Sequence, residues 1–291
     1  MKRHSPTAAK QRGMAIISAL LIAAVVAVLA GSMLTRQTVF TRSLEAEQLR
    51  VQGQWLLQAG LERSRQMLWE ARQKDVLTRL DQPWARAQGG GVESRIEDEQ
   101  GKFNLRNLVN RDRDQADAEQ LQSFERLCRT VGVDPAISRR ISQRVIAFYI
   151  APAKYPMLRS LDDLAGLEGV DPLLLRRLQA YISVLPATTW VNGNTASAEV
   201  LSAVVPQLSL SQAQGLVAER DSGQWFINRG DFVNRLHLPQ VAMDSVQVGI
   251  TSEWFRVQGQ TRREQRRVTL EALLHRPEDR QPQVIWSRVG V

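Results

Sequence analysis

The 291-residue sequence contains one cysteine, Cys128, and only three histidines, His4, His237 and His275. A lone cysteine excludes an internal disulfide. The histidines are scattered, and the chain has no HExxH and no GxSxG, which removes the common zinc-hydrolase and serine-hydrolase arrangements. Paired acids such as Asp162-Asp163 read as helix starts, not as an acid/base couple. The reading is therefore not an enzyme. Lysine occurs only at positions 2, 10, 74, 102 and 154, so the formal charge of +8 rests on arginine. Those arginines are spread among acids in helical stretches such as RQMLWEARQKD, the pattern of a solvated face more than of a nucleic-acid groove. Cys128 sits in a helical pattern between Leu127 and Arg129 and reads as a buried, inert thiol.

Charge is also missing from residues 14–34, MAIISALLIAAVVAVLAGSML. As helix this run is about 31 Å long, enough to cross a bilayer core. The leader MKRHSPTAAKQRG before it is basic and ends in Gly13, the one plausible processing point. A secretory signal is cut after its apolar stretch. Here the cut falls before it, so the hydrophobic helix stays on the mature protein; a plain anchor without processing is the other reading. The positives Lys2, Arg3, Lys10 and Arg12 put the N-terminus in the cytoplasm and the soluble part on the far side, the periplasm.

Glycine and proline are nearly absent from 35 to 80, where only Gly53 and Gly60 interrupt. Leu56, Leu57, Leu61, Met67 and Leu68 recur at helical spacing, so the membrane helix is expected to run on as an amphipathic spine until about Asp81-Gln82-Pro83. A membrane helix that becomes the spine of a soluble domain is the plan of type IV pilins and their relatives. With Arg12-Gly13 before Met14, IEDEQGKFNLRNLV at 96–109 and VNGNTASAEVLSAV at 191–204, the chain resembles, over nearly its whole length, the general secretion pathway protein K family of minor pseudopilins.

Pilins usually carry Glu at the fifth mature position; counted from Met14 this chain has Ser18, and the K family characteristically lacks that Glu. A carboxylate in an apolar filament core is costly unless it meets a cation, and the cation at hand is the N-terminal amine of a neighbouring subunit. A subunit with Ser18 cannot make that pair with a subunit above it, yet can offer its own amine to one below. That suits a tip. The alternative is a small polar residue whose hydroxyl bonds back to its own helix.

VESRIEDEQGKFNL reads as two short strands or a hairpin turning at Gln100-Gly101, and strand-like alternation returns in WFRVQGQTRREQRRVTLEALLHR and QPQVIWSRV. Strands on both sides of a helical block imply one sheet on the spine with an all-α domain inserted. The expected fold is α+β: a pilin-like long helix packed on an antiparallel sheet, with helix-hairpin-helix or SAM-like modules inserted. The expected divisions are leader 1–13, membrane helix 14–34, spine and first strands 35–104, inserted domain 105–245, and closing strands 246–291. Inside the block, Gly132-Val133-Asp134-Pro135 with Arg139-Arg140 recurs 37 residues later as Gly169-Val170-Asp171-Pro172 with Arg176-Arg177. Asp as N-cap and Pro at the first helical position make each copy a helix start, for SRRISQRVIAFYI and LLRRLQAYISVL. A second echo links SLDDLAGLEG at 160–169 with RGDFVNRLHL at 229–238.

The rival function is a minor pilin or DNA-uptake protein binding DNA through helix-hairpin-helix units, which hold a phosphate on backbone N–H groups of a glycine-containing turn. Here the hairpin reads Val205-Pro206-Gln207-Leu208-Ser209-Leu210-Ser211 without the expected glycines, and Glu168 and Asp171 sit where phosphate would lie in the other. No nucleic-acid partner is expected. Asp112, Asp114 and Asp117 after Asn110 have the oxygen chemistry for calcium, and a solvated acidic-basic loop explains them equally. The aromatics Trp84, Trp190, Trp225, Trp254 and Trp286 read as core or contact residues.

The resemblance implies cleavage between Gly13 and Met14 by a prepilin peptidase, N-methylation of Met14, and bound calcium in the helical domain. It also implies a complex with the I and J minor pseudopilins and other pseudopilins. Together they would cap a short filament that drives folded proteins through the outer-membrane secretin of a Gram-negative bacterium, from a single-pass inner-membrane subunit.

Overall fold

The computed structural model describes residues 8–86, 93–110, 115–151, 158–263 and 266–290. The chain divides into two compact units, 1–55 and 56–291. A single helix, α1 (Ala8–Lys74), contributes to both. Within the second unit its buried positions are Leu57, Leu61, Ser64, Leu68 and Ala71, an alternation of four and three that lines one face. The polar member is small and satisfied, since Ser64 Oγ donates to the carbonyl of Gly60 at 2.9 Å.

That face packs on an antiparallel sheet of order β1-β6-β7-β8, formed by β1 (Glu93–Asp98), β6 (Trp254–Arg263), β7 (Arg266–His275) and β8 (Gln283–Gly290). Period-two alternation sends Phe255 and Val257 of β6 and Val268, Leu270, Ala272 and Leu274 of β7 into one core with Leu57, Leu61 and Leu68. Trp84 closes it, edge-on to Phe255 with ring centroids 5.3 Å apart. The spine stops at Lys74, short of the expected 81–83. Asp75 accepts the Leu77 N–H at 2.9 Å, and the Thr78 N–H donates to the Ile250 carbonyl at 3.1 Å, so the backbone is drawn out of the helix toward the rest of the unit.

Between β1 and β6 in the chain lie α2 (Ala118–Thr130), α3 (Pro135–Ile150), α4 (Pro172–Leu178), α5 (Ala198–Val204), α6 (Leu210–Asp221) and α7 (Arg229–Arg235). They surround a second core that includes Leu108, Phe124, Leu127, Ile141, Leu164, Leu178, Leu201 and Phe232. Two parallel strand pairs tie this block together: β2 (Phe103–Asn104) with β3 (Ile182–Ser183), and β4 (Val191–Asn192) with β5 (Val248–Gly249).

These pairs correct two expectations. Residues 93–104 do form two short strands, but not a hairpin. β1 pairs with β6, β2 pairs with β3, and Glu99–Gly101 between them is a 3₁₀ turn. The helix expected through LLRRLQAYISVL ends at Leu178, because Ile182-Ser183 is taken by β2 and the Tyr181 carbonyl accepts the Phe103 N–H at 2.8 Å.

The repeat is a stop-and-start signal. Gly132 and Gly169 have φ of 72° and 82°, the left-handed conformation that ends a helix or turn. The Asp134 and Asp171 side chains then accept the N–H of Ala136 and Leu174, and Pro135 and Pro172 open α3 and α4. The copies also hold each other. Arg140 of the first donates to the Glu168 carbonyl at 3.2 Å, and Arg177 of the second to the Gly132 carbonyl at 3.3 Å. In the second echo Asp163 accepts from Arg159 and Ser160 N–H, and Asp231 from Ile227 N–H, so each acid closes its own helix start.

The α5–α6 turn forms without glycine. Gln207 itself takes the left-handed region at φ 64°, and Ser209 opens α6 through a capping box with Gln212. A left-handed conformation costs a non-glycine residue about 1–2 kcal/mol, partly offset by the entropy that glycine loses. Gln207→Gly should therefore raise the unfolding free energy of residues 56–291 by about 0.5–1 kcal/mol in urea titrations. A loss of stability would mean that the Gln240–Gln207 side-chain bond of 2.9 Å outweighs the strain.

Candidate functional site

Two features stand out. In the first unit, the apolar side chains of 14–34 are solvent-facing: Met14 is 71% and Leu29 62% exposed. Side chains at 8–13 and at 15 lie outside the described residues. The run has a mean hydropathy of 2.6 over its most apolar stretch and is the one helix among the described residues long and apolar enough to cross a membrane. Its C-terminal hydroxyls bond inward, with Thr35 Oγ1 donating to the Gly31 carbonyl and Thr38 Oγ1 to the Leu34 carbonyl, both at 2.9 Å. Polar groups are thereby satisfied without water, as a lipid or filament interior requires. Gly13, Met14 and Ser18 all fall within α1.

The second feature is a buried polar seam where 96–107 meets 185–195. Asp98 Oδ2 accepts from Ser252 Oγ and Thr195 Oγ1, each at 2.6 Å, and from Asn192 Nδ2 at 3.0 Å; Oδ1 accepts the Gln100 N–H at 2.9 Å. Burial pushes the Asp98 carboxyl above its ordinary pKa, and these four donors pull it part of the way back. Asn192 Nδ2 also reaches the Thr78 carbonyl at 3.1 Å and Ser252 Oγ at 2.8 Å. Asn104 donates to the Ala187 carbonyl at 2.7 Å, and Asn107 to the Thr189 carbonyl at 2.8 Å. Gly101 must be glycine here, since a Cβ would fall 2.8 Å from Thr195 Oγ1. The two stretches that carry the family resemblance are thus in direct contact.

A chain of charges flanks the seam. Buried Glu99 receives Lys102 Nζ at 2.7 Å and Arg256 Nη2 at 2.9 Å; Lys102 also meets Glu97 at 3.1 Å. Arg256 continues to Glu271 at 3.4 Å, and Arg288 links Glu271 at 2.5 Å to Asp162 of the helical block at 2.9 Å. Desolvation opposes the Arg256 charge, but Glu99, Glu271 and Glu97 outweigh it and raise its pKa. Arg276 is held differently, by the Ser252 carbonyl at 2.7 Å and Thr78 Oγ1 at 2.8 Å, over the Phe255 ring; burial lowers its pKa to about 10.

The sequence-derived metal residues are not brought together among the described residues. Asp112 and Asp114 lie outside those residues, and Asp117 is the N-cap of α2, with Oδ1 accepting from Glu119 and Gln120 N–H at 3.0 Å. No cluster of three or more His, Cys, Asp or Glu side chains able to hold a metal occurs among the described residues. Cys128 is buried and its thiol pushed up to about 12, primarily by burial, which keeps it protonated and unreactive. Sequence reading missed the seam itself. Its signal was the density of Asp, Asn, Gln and Thr in IEDEQGKFN and VNGNTAS, stretches too polar for ordinary strands and too ordered in spacing for plain loops.

An apolar N-terminal helix whose continuation seats on an antiparallel sheet defines a pilin-like subunit, here carrying a large helical block. Two family models, each described as type II secretion system (T2SS), protein K, match residues 101–187 and 191–251. The chain belongs to the type II secretion system protein K family. It is similar to type II secretion system protein K of Pseudomonas aeruginosa, with 29% identity over 315 residues, covering 96% of this chain and 93% of that protein. The Klebsiella pneumoniae protein K is 27% identical over 256 residues, covering 74% of this chain and 77% of the relative. In fold the chain is similar to one in the crystal structure of the GspK-GspI-GspJ complex from the enterotoxigenic Escherichia coli type 2 secretion system. That match has a TM-score of 0.63 at 17% identity, covering 85% of this chain and 99% of that one.

The raised Asp98 pKa carries a pH signature. The folded state holds the proton more tightly than the unfolded chain, so this group's contribution is full below the ordinary Asp range and is lost as pH rises through the raised folded value. Asp98→Asn, which cannot titrate, should flatten that part of the stability–pH profile between about pH 4 and neutrality. Parallel profiles of the two proteins in urea titrations would reject the assignment.

Proposed function

We propose that this protein is a minor pseudopilin that caps the tip of the type II secretion pseudopilus with the I and J minor pseudopilins and helps start its assembly. The observation that carries the reading is the N-terminal helix, uncovered and apolar over 14–34, with Ser18 where a pilin keeps a carboxylate. Cut after Gly13 and N-methylated at Met14, such a helix can leave the bilayer for a filament and pair its amine with a subunit below, but takes no subunit above. The helical block at 105–245, inserted between the first strands and the closing strands of 246–291, supports the same end position, because its bulk would obstruct regular packing in a filament body. Leader positives place the N-terminus in the cytoplasm and the sheet and helical block in the periplasm. The similar complex solved from Escherichia coli bears the names of I and J partners, which makes them the first proteins to test.

Residues 35–291, mixed with the I and J proteins of the same genome, should form a stable ternary complex in size-exclusion chromatography. No complex at micromolar concentrations sinks the tip assignment. Gly13 substitutions should abolish the mobility shift of processing; unchanged mobility and methylation would reject cleavage at that bond.

Asp112, Asp114 and Asp117 are the proposed calcium ligands. Asp117 keeps Oδ1 on the start of α2, and Oδ2 accepts no hydrogen bond among the described residues, which suits a hard cation. Asn caps a helix as well as Asp does but carries no charge. Calcium should therefore raise the melting temperature of the wild-type protein, and Asp117→Asn should shrink that rise while leaving the calcium-free melt nearly unchanged. A melt insensitive to calcium rejects the site.

A further inference from the structure

The four-stranded sheet ends in two unlike edges. At one, β1 reads ESRIED, with Glu93, Arg95 and Glu97 at alternate positions, a charged pattern that discourages further pairing. At the other, β8 reads QVIWSRVG and carries one charge in 8 residues, Arg288. No residue of β8 is buried, and Val284, Ile285 and Val289 are 38%, 43% and 44% exposed. β7 takes one side of β8; on its other side no backbone group of 283–290 bonds to backbone among the described residues. A row of unpaired N–H and C=O groups between exposed aliphatic side chains is a template for another strand.

The edge has a defined extent. Leu273 pairs with Trp286 and Leu274 with Val284, so Ile285 is an extra residue, a bulge that breaks the line of the strand. Beyond it, Trp286, Ser287, Arg288, Val289 and Gly290 run unbroken against β7. The two faces of that segment differ. Ser287 and Val289 lie across from Ala272 and Leu270, which point into the core on the spine, so Val289 carries the apolar surface out to the edge. On the opposite face Arg288 lies across from Glu271. Its Nη2 donates to Glu271 at 2.5 Å and to Asp162 at 2.9 Å, while Nε and Nη1 make no hydrogen bond among the described residues. The Arg288 side chain is 54% exposed, so its free N–H groups have room for a further carboxylate.

These faces select the occupant. Two copies of this chain, paired antiparallel over the whole of 286–290, would set Arg288 opposite Arg288, and like charges directly across a strand pair destabilise it. A strand of another protein, apolar on the spine face and bearing an acid opposite Arg288, avoids that clash and uses both faces. Taking the chain as a minor pseudopilin, as above, we propose that β8 receives such an extended strand from the I or J subunit and joins the two sheets through Trp286–Gly290. Hydrogen bonds along the ladder supply the attachment; Val289 and Arg288 supply the register.

The test is amide hydrogen exchange followed by mass spectrometry on the full chain in detergent, alone and with the I and J proteins of the same genome. Exchange across 286–290 is expected to slow at least tenfold in the complex. Val289→Lys, which places a charge on the edge, should weaken the complex about tenfold or more and Arg288→Gln several-fold, whereas Arg95→Gln on the opposite edge leaves the affinity unchanged. A complex that forms with exchange at 286–290 unaltered overturns the docking edge and leaves the tip reading standing; no complex at all sinks both. Protection of 286–290 that grows with concentration in the chain alone points to a second copy and likewise overturns the assignment. If Val289→Lys fails to fold, the exchange comparison on the unaltered chain decides.

Discussion

Asp98 is a buried carboxylate, 6% exposed, and the need to satisfy it constrains the arrangement of the second unit. An unpartnered charge in that position would cost several kcal/mol, more than a marginally stable domain can absorb. Beyond Gln100 in the adjoining turn, its donors come from places distant in the chain: Asn192 and Thr195 before α5, and Ser252 ahead of β6. All must arrive together for the cost to be met. Asn192, which also holds Thr78 and Ser252, makes the same demand on the segment that follows the spine. One buried acid thereby sets the spine, sheet and helical block in mutual register.

The charges beside the seam extend that constraint. Glu99 is 1% exposed and shared by Lys102 and Arg256. Buried pairs of this kind add little net stability when complete, but losing one partner costs about 3–5 kcal/mol because the other charge is stranded. Their effect is selective. They penalise any other packing of β1 against β6, while the apolar contacts of Leu57, Leu61 and Phe255 supply the bulk of the favourable energy at about 1.5–3 kcal/mol per fully buried side chain. Arg288, reaching from the edge strand to Asp162, is exposed and contributes far less.

The N-terminal helix obeys different physics. Its described side chains over 14–34 are exposed, and its hydroxyls turn back onto their own backbone, so the segment is complete as a helix but unfinished as a surface. Lipid covers such a surface well, and so do neighbouring apolar helices. A subunit that passes from one to the other needs no refolding of the first unit.

Legibility in the sequence followed the range of the interactions. The apolar run, the amphipathic spine, the α+β class and the helix starts at Asp134-Pro135 and Asp171-Pro172 were readable, because each depends on residues within four or five positions of one another. The partners of short strands were not. Nothing near Phe103 announces that it will lie beside Ile182, and nothing in LLRRLQAYISVL says that its second half will leave the helix for that pairing. The left-handed backbone of Gln207 was not readable either, since no glycine marks it. The amino-acid order thus determined the elements and the long apolar surface of the N-terminal helix. Strand register and the enclosure of Asp98 arose only when distant segments closed on one another, because a buried polar group is tolerable in whatever conformation brings all its donors together, and no local stretch holds them all.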